Sequence, residues 1–408
     1  MRPNRRLIVP LALATTSSQA SIVVLAPILV EVSRAFDTSI SAVGQARAVL
    51  AFTAVAATIA IARLIDRLGV RPLLLFGATA SLVGAGLTAA SPNLPLFFAA
   101  QIPAGLGVAC LLSAGFAGVG AYFEESDAAW GIGYVVGMQS LAWIIGNPIV
   151  GFLTESVSWR LAYAVPAVVS LGAFVTCLLM LPREGRAGAV HDRSARRGLG
   201  AVLRDASARR WTLSELLAYG AWTGELTFAG AFYIQTYGVS ESTVGILLSI
   251  PSLAFLLLSP RVAGVTDRFG LKPVIVVGGV GMGALILLAF TFTPSVPFTV
   301  ALICLVAVFA ALRLNGSSTL GLGQLPHQPG SMMAARTASA QLGYVVGAVA
   351  GGAVLAVGGF GLLGLILFAG LLISTVVVWG VTDPLEEALS SARDTAEREA
   401  VPQFTVPD

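Results

Sequence analysis

The sequence predicts an all-α integral membrane protein: twelve transmembrane helices arranged as two pseudo-symmetric six-helix bundles. Three observations carry this. The first is composition: 56% of the 408 residues are hydrophobic and only 11% are charged, with a mean hydropathy of +0.86. A soluble domain carries roughly 25% charge, so this much apolar surface needs lipid as its solvent. The second is a near repeat. DRLGVRPLLL from Asp66 returns as DRFGLKPVIV from Asp267, 201 residues later. At the same offset Ser39, Ser41, Val43 and Gly44 fall on Ser240, Ser242, Val244 and Gly245, and Gly146 and Gly151 fall on Gly347 and Gly352. The third is the length of the apolar runs between these matches. A helix crosses a bilayer with about 20 apolar residues, and the chain has room for about twelve such spans.

Taken in order, the spans are expected near residues 7–31, 42–62, 72–91, 95–121, 129–153, 159–181, 212–237, 243–262, 273–293, 297–321, 334–357 and 360–382. Helices are preferred to a β-barrel because runs such as Leu73–Leu82 and Leu362–Ile373 are apolar on every face, whereas barrel strands alternate. The first span begins like a secretory signal, with Arg5 and Arg6 before an apolar stretch. The apolar run resumes at Ile22, so an uncleaved helix is expected. The halves are expected at 1–182 and 211–382, joined by a basic linker at 183–210 holding eight arginines against three acids, and followed by a polar tail at 383–408.

Orientation follows from the basic residues, which gather in cytoplasmic segments. With the N-terminus inside, 20 of the 24 Lys and Arg residues are cytoplasmic, two are outside and two, Arg47 and Arg313, lie within spans. Both termini are therefore expected in the cytoplasm. High Ala, Gly and Arg content with a single Lys points to a bacterial inner membrane.

Enzymatic chemistry finds no support. Cys110, Cys177 and Cys304 lie far apart within spans, and His191 and His327 lie in loops. No Ser-His-Asp set, nucleotide-binding loop or HExxH occurs. No cofactor, metal or nucleic-acid partner is expected. The expected partners are the lipid bilayer, a small-molecule substrate and protons, with the chain acting as a monomer.

Charges at membrane depth are costly and face cavities or partners. Glu225 lies about 13 residues into the seventh span, or roughly 20 Å, and is the only carboxylate deep in any span. It is the candidate proton carrier; a fixed ion pair with Arg313 is the structural alternative. Glu215, three residues after Thr212, fits a capping box at the helix start. Arg313, just before Asn315, is a candidate anion ligand or partner of Glu225. Arg47, about two turns into its span, is expected to snorkel outward. Candidate substrate-binding residues are Gln19, Trp222, Glu225, Arg313, Asn315, Gln139, Trp143 and Tyr344, with Thr16, Asn147 and Gln341 as further cavity liners. Gln19, Trp222 and Glu225 are expected to form the central cluster. Aromatic walls with few polar anchors suit an amphiphilic molecule.

The loop Ala62-Arg63-Leu64-Ile65-Asp66-Arg67-Leu68-Gly69-Val70-Arg71 resembles the G-x-x-x-D-R-x-G-R-R signature of the major facilitator superfamily, keeping Asp66, Arg67, Gly69 and Arg71. Its second copy keeps Asp267, Arg268, Gly270 and Lys272. The resemblance implies that these eight residues form a cytoplasmic gate. A narrower resemblance, to the twelve-helix drug:proton antiporters, rests on Ala26-Pro27, on Ser158-Trp159-Arg160 with Tyr163, and on the fifth span. There the family pattern G-P-x-x-G-G survives only as Pro148 and Gly151, which imply a kink. The family's arginine in the fourth span is Gln101 here, four residues before Gly105, a departure from its usual arrangement for proton coupling.

The resemblance implies a secondary active transporter, a proton-coupled antiporter for efflux of an amphiphilic or drug-like molecule. Uptake of an organic anion held by Arg313 is the alternative among carriers. A non-transporting membrane sensor is the alternative of another class.

Overall fold

A computed structural model describes residues 5–182, 200–325, 327 and 329–383. Among these residues all regular structure is helical. The helices are α1 (Ile8–Val23), α2 (Leu25–Ala35), α3 (Ile40–Leu68), α4 (Val70–Ala90), α5 (Leu94–Tyr122), α6 (Glu125–Ser156), α7 (Trp159–Ala162), α8 (Ala164–Met180), α9 (Ala206–Tyr237), α10 (Glu241–Leu258), α11 (Val262–Phe269), α12 (Leu271–Thr291), α13 (Val296–Gln324) and α14 (Pro329–Trp379). Most of the linker and tail lie outside the described residues, as does any account of their role.

Ten helical segments are long and apolar enough to cross a membrane among the described residues. Two expected spans, 334–357 and 360–382, are merged in α14, which is interrupted only at Gly359 (φ 68°, ψ −166°). A third, 212–237, is helical within α9 but is not among the ten. It carries Glu215 and Glu225, and α9 as a whole begins with Arg209 and Arg210. The expected first span is split at Val24 into α1 and α2. Pro27 has no N–H to offer Val23, so the ladder is broken where the helix bends.

The duplication is visible in backbone detail. Ser39 accepts from the N–H of Ala42 at the start of α3, and Ser240 accepts from that of Thr243 at the start of α10. Gly69 and Gly270 adopt φ of 82° and 83°, each joining two helices without an intervening loop. A side chain would disfavour this conformation, which is why glycine occupies both copies.

The two halves meet through four close helix crossings. Gly151 of α6 lies against the Glu241 carbonyl, and Gly245 of α10 against Asn147 and Pro148. On the other side of the pseudo-twofold, Gly352 of α14 lies against Ser41 and Gln45 of α3, and Gly44 lies under the Phe228 ring. Gly230 of α9 packs on the Ala26 carbonyl. α6 runs as one helix through Pro148, and Pro148 and Gly151 both take part in the close packing between halves. A large apolar core, including Ile28, Leu29, Phe228, Phe232 and Phe290, runs through this junction.

Polar contacts reinforce the same face. Glu155 accepts from the Ser242 N–H at 2.9 Å, Gln45 donates to the Ala348 carbonyl at 3.1 Å, and Arg34 lies 3.9 Å from Glu241. On the opposite face the DR loops differ. Arg67, Asp267 and Arg268 are exposed, and among the described residues none of them forms an ion pair. Arg71 donates instead to the Cys177 and Leu178 carbonyls at 3.4 and 2.8 Å, satisfying the open C-terminal end of α8. The side chain of Asp66 lies outside the described set. One face of the molecule is therefore bolted across the halves, while among the described residues no ion pair of Arg67, Asp267 or Arg268 joins the halves on the face bearing the DR loops.

Candidate functional site

Four features of the helical interior carry polar chemistry at depth. The first is Glu225. Because α9 begins at Ala206, Glu225 lies about one turn beyond the helix midpoint. It is 2% exposed, and among the described residues it has no hydrogen-bond or ion-pair partner. Glu225 is therefore isolated rather than locked.

The second is the charge cluster that sequence reasoning divided wrongly. Glu215 is not an N-terminal cap: α9 starts two and a half turns earlier, capped by Asp205, which accepts from the Ala208 N–H at 2.7 Å. Thr212 donates back to the Ala208 carbonyl at 2.8 Å. Glu215 is fully buried and takes the Arg313 guanidinium at 2.9 Å and the Ser317 hydroxyl at 2.7 Å. Arg313 also donates to Ser214 Oγ at 2.6 Å and Ser374 Oγ at 3.0 Å. It thus partners neither Glu225 nor an open cavity, which corrects both expectations for it. Arg336 of α14 lies 3.7 Å from the other Glu215 oxygen, with its side chain 23% exposed, and donates to the Tyr219 hydroxyl at 2.7 Å. Two guanidiniums thus share one carboxylate.

The third is aromatic. Trp222 stacks on Phe255 with ring centroids 5.7 Å apart, and Tyr219 faces Tyr344 at 6.3 Å. In the first half Trp143 donates to Gln19 at 3.1 Å. Of the expected cluster of Gln19, Trp222 and Glu225, Gln19 is engaged by Trp143 within its own half, and among the described residues no hydrogen bond joins the three. Gln139, Asn147, Asn315 and Gln341 each keep a buried polar atom with no partner, while Thr16 donates to the Ala12 and Met138 carbonyls.

The fourth is Arg47, where the snorkelling expectation fails. Arg47 is 3% exposed and donates from Nη2 to the Ile22 carbonyl at 2.9 Å. The break between α1 and α2 places that carbonyl within reach. Arg47, Gln101, Ser21, Ile22, Tyr163 and Tyr344 line a small cavity of about 10 Å³. Depth counted along the sequence suggested snorkelling, but the side chain turns inward, to the Ile22 carbonyl and the cavity shared with Tyr344. The signal that could have found it is the repeat itself, since its counterpart is Leu248.

A paired set of long apolar helices with a polar, partly sealed interface is the architecture of a multi-pass membrane protein. The chain belongs to the Major Facilitator Superfamily, whose profile matches residues 11–239 and 211–406. It is similar to the multidrug resistance protein MdtM of Escherichia coli (strain K12), with 26% identity over 202 residues, covering 50% of this chain and 48% of MdtM. Multidrug resistance protein MdtL of Shewanella oneidensis shares 26% over 155 residues, 38% of each chain. The aligned region thus spans about half or less of these relatives' lengths. The fold also matches the crystal structure of a D-xylose-proton symporter, with a TM-score of 0.76 and 15% identity over 94% of this chain and 99% of that one.

Proposed function

We propose that this protein exports a small amphiphilic organic molecule in exchange for protons, by alternating access between the halves 1–182 and 211–382. The observation that carries the reading is the isolation of Glu225: a carboxylate buried on α9 with no hydrogen-bond or ion-pair partner among the described residues is free to exchange a proton as the halves rock. The multidrug resistance names of two relatives support efflux.

The excess of Lys and Arg on the DR-loop side supports cytoplasmic termini and loops. On that reading the bolted face points outward and the described conformation opens to the cytoplasm. Bacterial relatives support an inner-membrane location. The eight DR-loop residues would then engage one another only in the outward-opening state.

The test is solute-driven proton movement in proteoliposomes with an internal pH-sensitive dye. The wild type should acidify or alkalinise the lumen when a substrate gradient is imposed, and Glu225→Gln should stop this while still binding the substrate. Proton flux that survives Glu225→Gln overturns the assignment of the proton carrier. Binding without flux of any solute overturns the carrier reading in favour of a membrane sensor. Arg313 gives little reason to prefer anion uptake, because its charge is taken by Glu215, its Nη groups also donate to Ser214 and Ser374, and it has no exposed surface.

A further inference from the structure

Arg47 is a guanidinium that the fold buries and does not neutralise. Its single protein hydrogen bond goes to the Ile22 carbonyl at 2.9 Å, and its Nε is sealed from solvent with no acceptor. Among the described residues no carboxylate lies within ion-pair distance. Burying a charge without a counter-charge is expensive, so such a residue marks a site that is completed by something else.

Packing does not demand an arginine here. Arg47 stands eight residues after the Ser39 cap of α3; eight residues after the Ser240 cap of α10 stands Leu248, which is also buried. Gln101 repeats the contrast. It stands eight residues after the Asn93 cap of α5, and eight residues after Ser295, which precedes α13, stands the buried Ile303. Two polar side chains of the first half thus occupy places where the second half uses aliphatics, and both line one cavity. Within that cavity Tyr344 is the wall contributed by the second half. The position is therefore covered in the described conformation and uncovered when the halves separate.

We propose that Arg47 anchors an anionic group of the transported molecule, so that the preferred substrate is an amphiphilic organic anion rather than a cation. This rests on the carrier reading above. The free Nε–H and the Nη2–H on the same edge of the guanidinium form a planar fork that matches the two oxygens of a carboxylate, with the other Nη2–H left to the Ile22 carbonyl. Gln101 lines the cavity beside it as a neutral polar wall, its amide held by Thr88 and the Phe97 carbonyl at 3.3 and 3.2 Å, and Tyr163 and Tyr344 supply the apolar walls. At about 10 Å³ the closed cavity has room for little more than one water, so the group enters as Tyr344 withdraws. Arg336, partly exposed and sharing Glu215 with Arg313, adds to the cationic excess at the interface.

The test uses three probes of one shape: naphthalene-2-carboxylate, naphthalene-2-carboxamide and 2-naphthylmethylammonium. Each is titrated against the purified full-length protein, and binding is read from thermal stabilisation. The wild type should bind the carboxylate about tenfold more tightly than the amide. Arg47→Gln should abolish that preference while leaving amide binding unchanged. Arg47→Lys, which keeps the charge and loses the fork, should retain part of it.

A carboxylate no better than the amide, including no detectable binding, overturns the inference. So does a preference that survives Arg47→Gln. If Arg47→Gln does not yield folded protein, the wild-type ranking and Arg47→Lys decide. Preference for the ammonium probe overturns the inference but leaves proton-coupled export standing. Proton flux surviving Glu225→Gln would do the converse.

Discussion

Arg313 donates to Glu215 across 2.9 Å at a place where neither side chain has any exposed surface. The pair ties α13 to α9, and Ser214, Ser317 and Ser374 supply the remaining hydrogen bonds. A buried ion pair of this kind is worth little against an apolar replacement, yet removing one partner strands the other charge. Glu215→Ala alone should therefore destabilise the protein by about 3–5 kcal/mol. Replacing both, as Glu215→Leu with Arg313→Met, should recover most of that loss. Unfolding in detergent, followed by near-ultraviolet circular dichroism, measures both. Equal losses in the single and double variants would show that the pair itself stabilises.

The crossing of α6 with α10 leaves no room for a side chain at Gly245. A Cβ there would lie 2.9 Å from Pro148 Cα, closer than packed atoms come. Gly245→Val should therefore hold the bolted face apart without unfolding either half. Spin labels at Val157 and Phe292, both exposed at helix ends on that face, should report a longer distance in the variant. An unchanged distance would mean that the backbone shifts to absorb the methyl groups.

Gly69 has open space around it, so Gly69→Ala tests backbone conformation alone. Its φ of 82° with ψ of 173° should make alanine cost about 1–3 kcal/mol. Gly270→Ala, at φ 83°, should cost a similar amount, and the two should add because the loops lie in different halves. Thermal midpoints of the two single variants and the double variant check this.

The sequence made the architecture legible because duplication and apolar runs are properties that lipid enforces along the whole chain. The match of Ser39 with Ser240 and the paired loop glycines were visible in the repeat, while the capping by the two serines emerged only from the structure. The polar interior was less so. Glu225 was recognisable because nothing near it in sequence could explain a carboxylate at that depth. Glu215 was not, because Thr212 three residues earlier mimics a cap, and only the upstream extension of α9 to Ala206 puts the residue inside. The partner of Arg313 lies 98 residues away in sequence, and no local pattern names it. Arg47 was misplaced because distance along a helix does not report which face meets the other half.

Arg34 sits beside Glu31 on its own helix and 3.9 Å from Glu241 in the other half. Its side chain is 63% exposed, so its contribution to overall stability should stay below about 1 kcal/mol. Arg34→Ala should instead raise the rate at which a thiol reagent reaches a cysteine placed at Ser33, a buried residue beside it. An unaltered labelling rate would show that apolar packing alone keeps this face shut.

Gly359 turns one helical rod into two without a single residue of connecting loop. The arm before it carries Gly352, set against Ser41 and Gln45 of the first half, and the arm after it carries Leu371 and Thr375, set against Gly283 and Gly279 of α12. An elbow with no slack cannot let one arm travel while the other stays behind. Force applied where the first half pulls away is handed directly to the far wall of the second, and one achiral residue sets the angle at which it arrives.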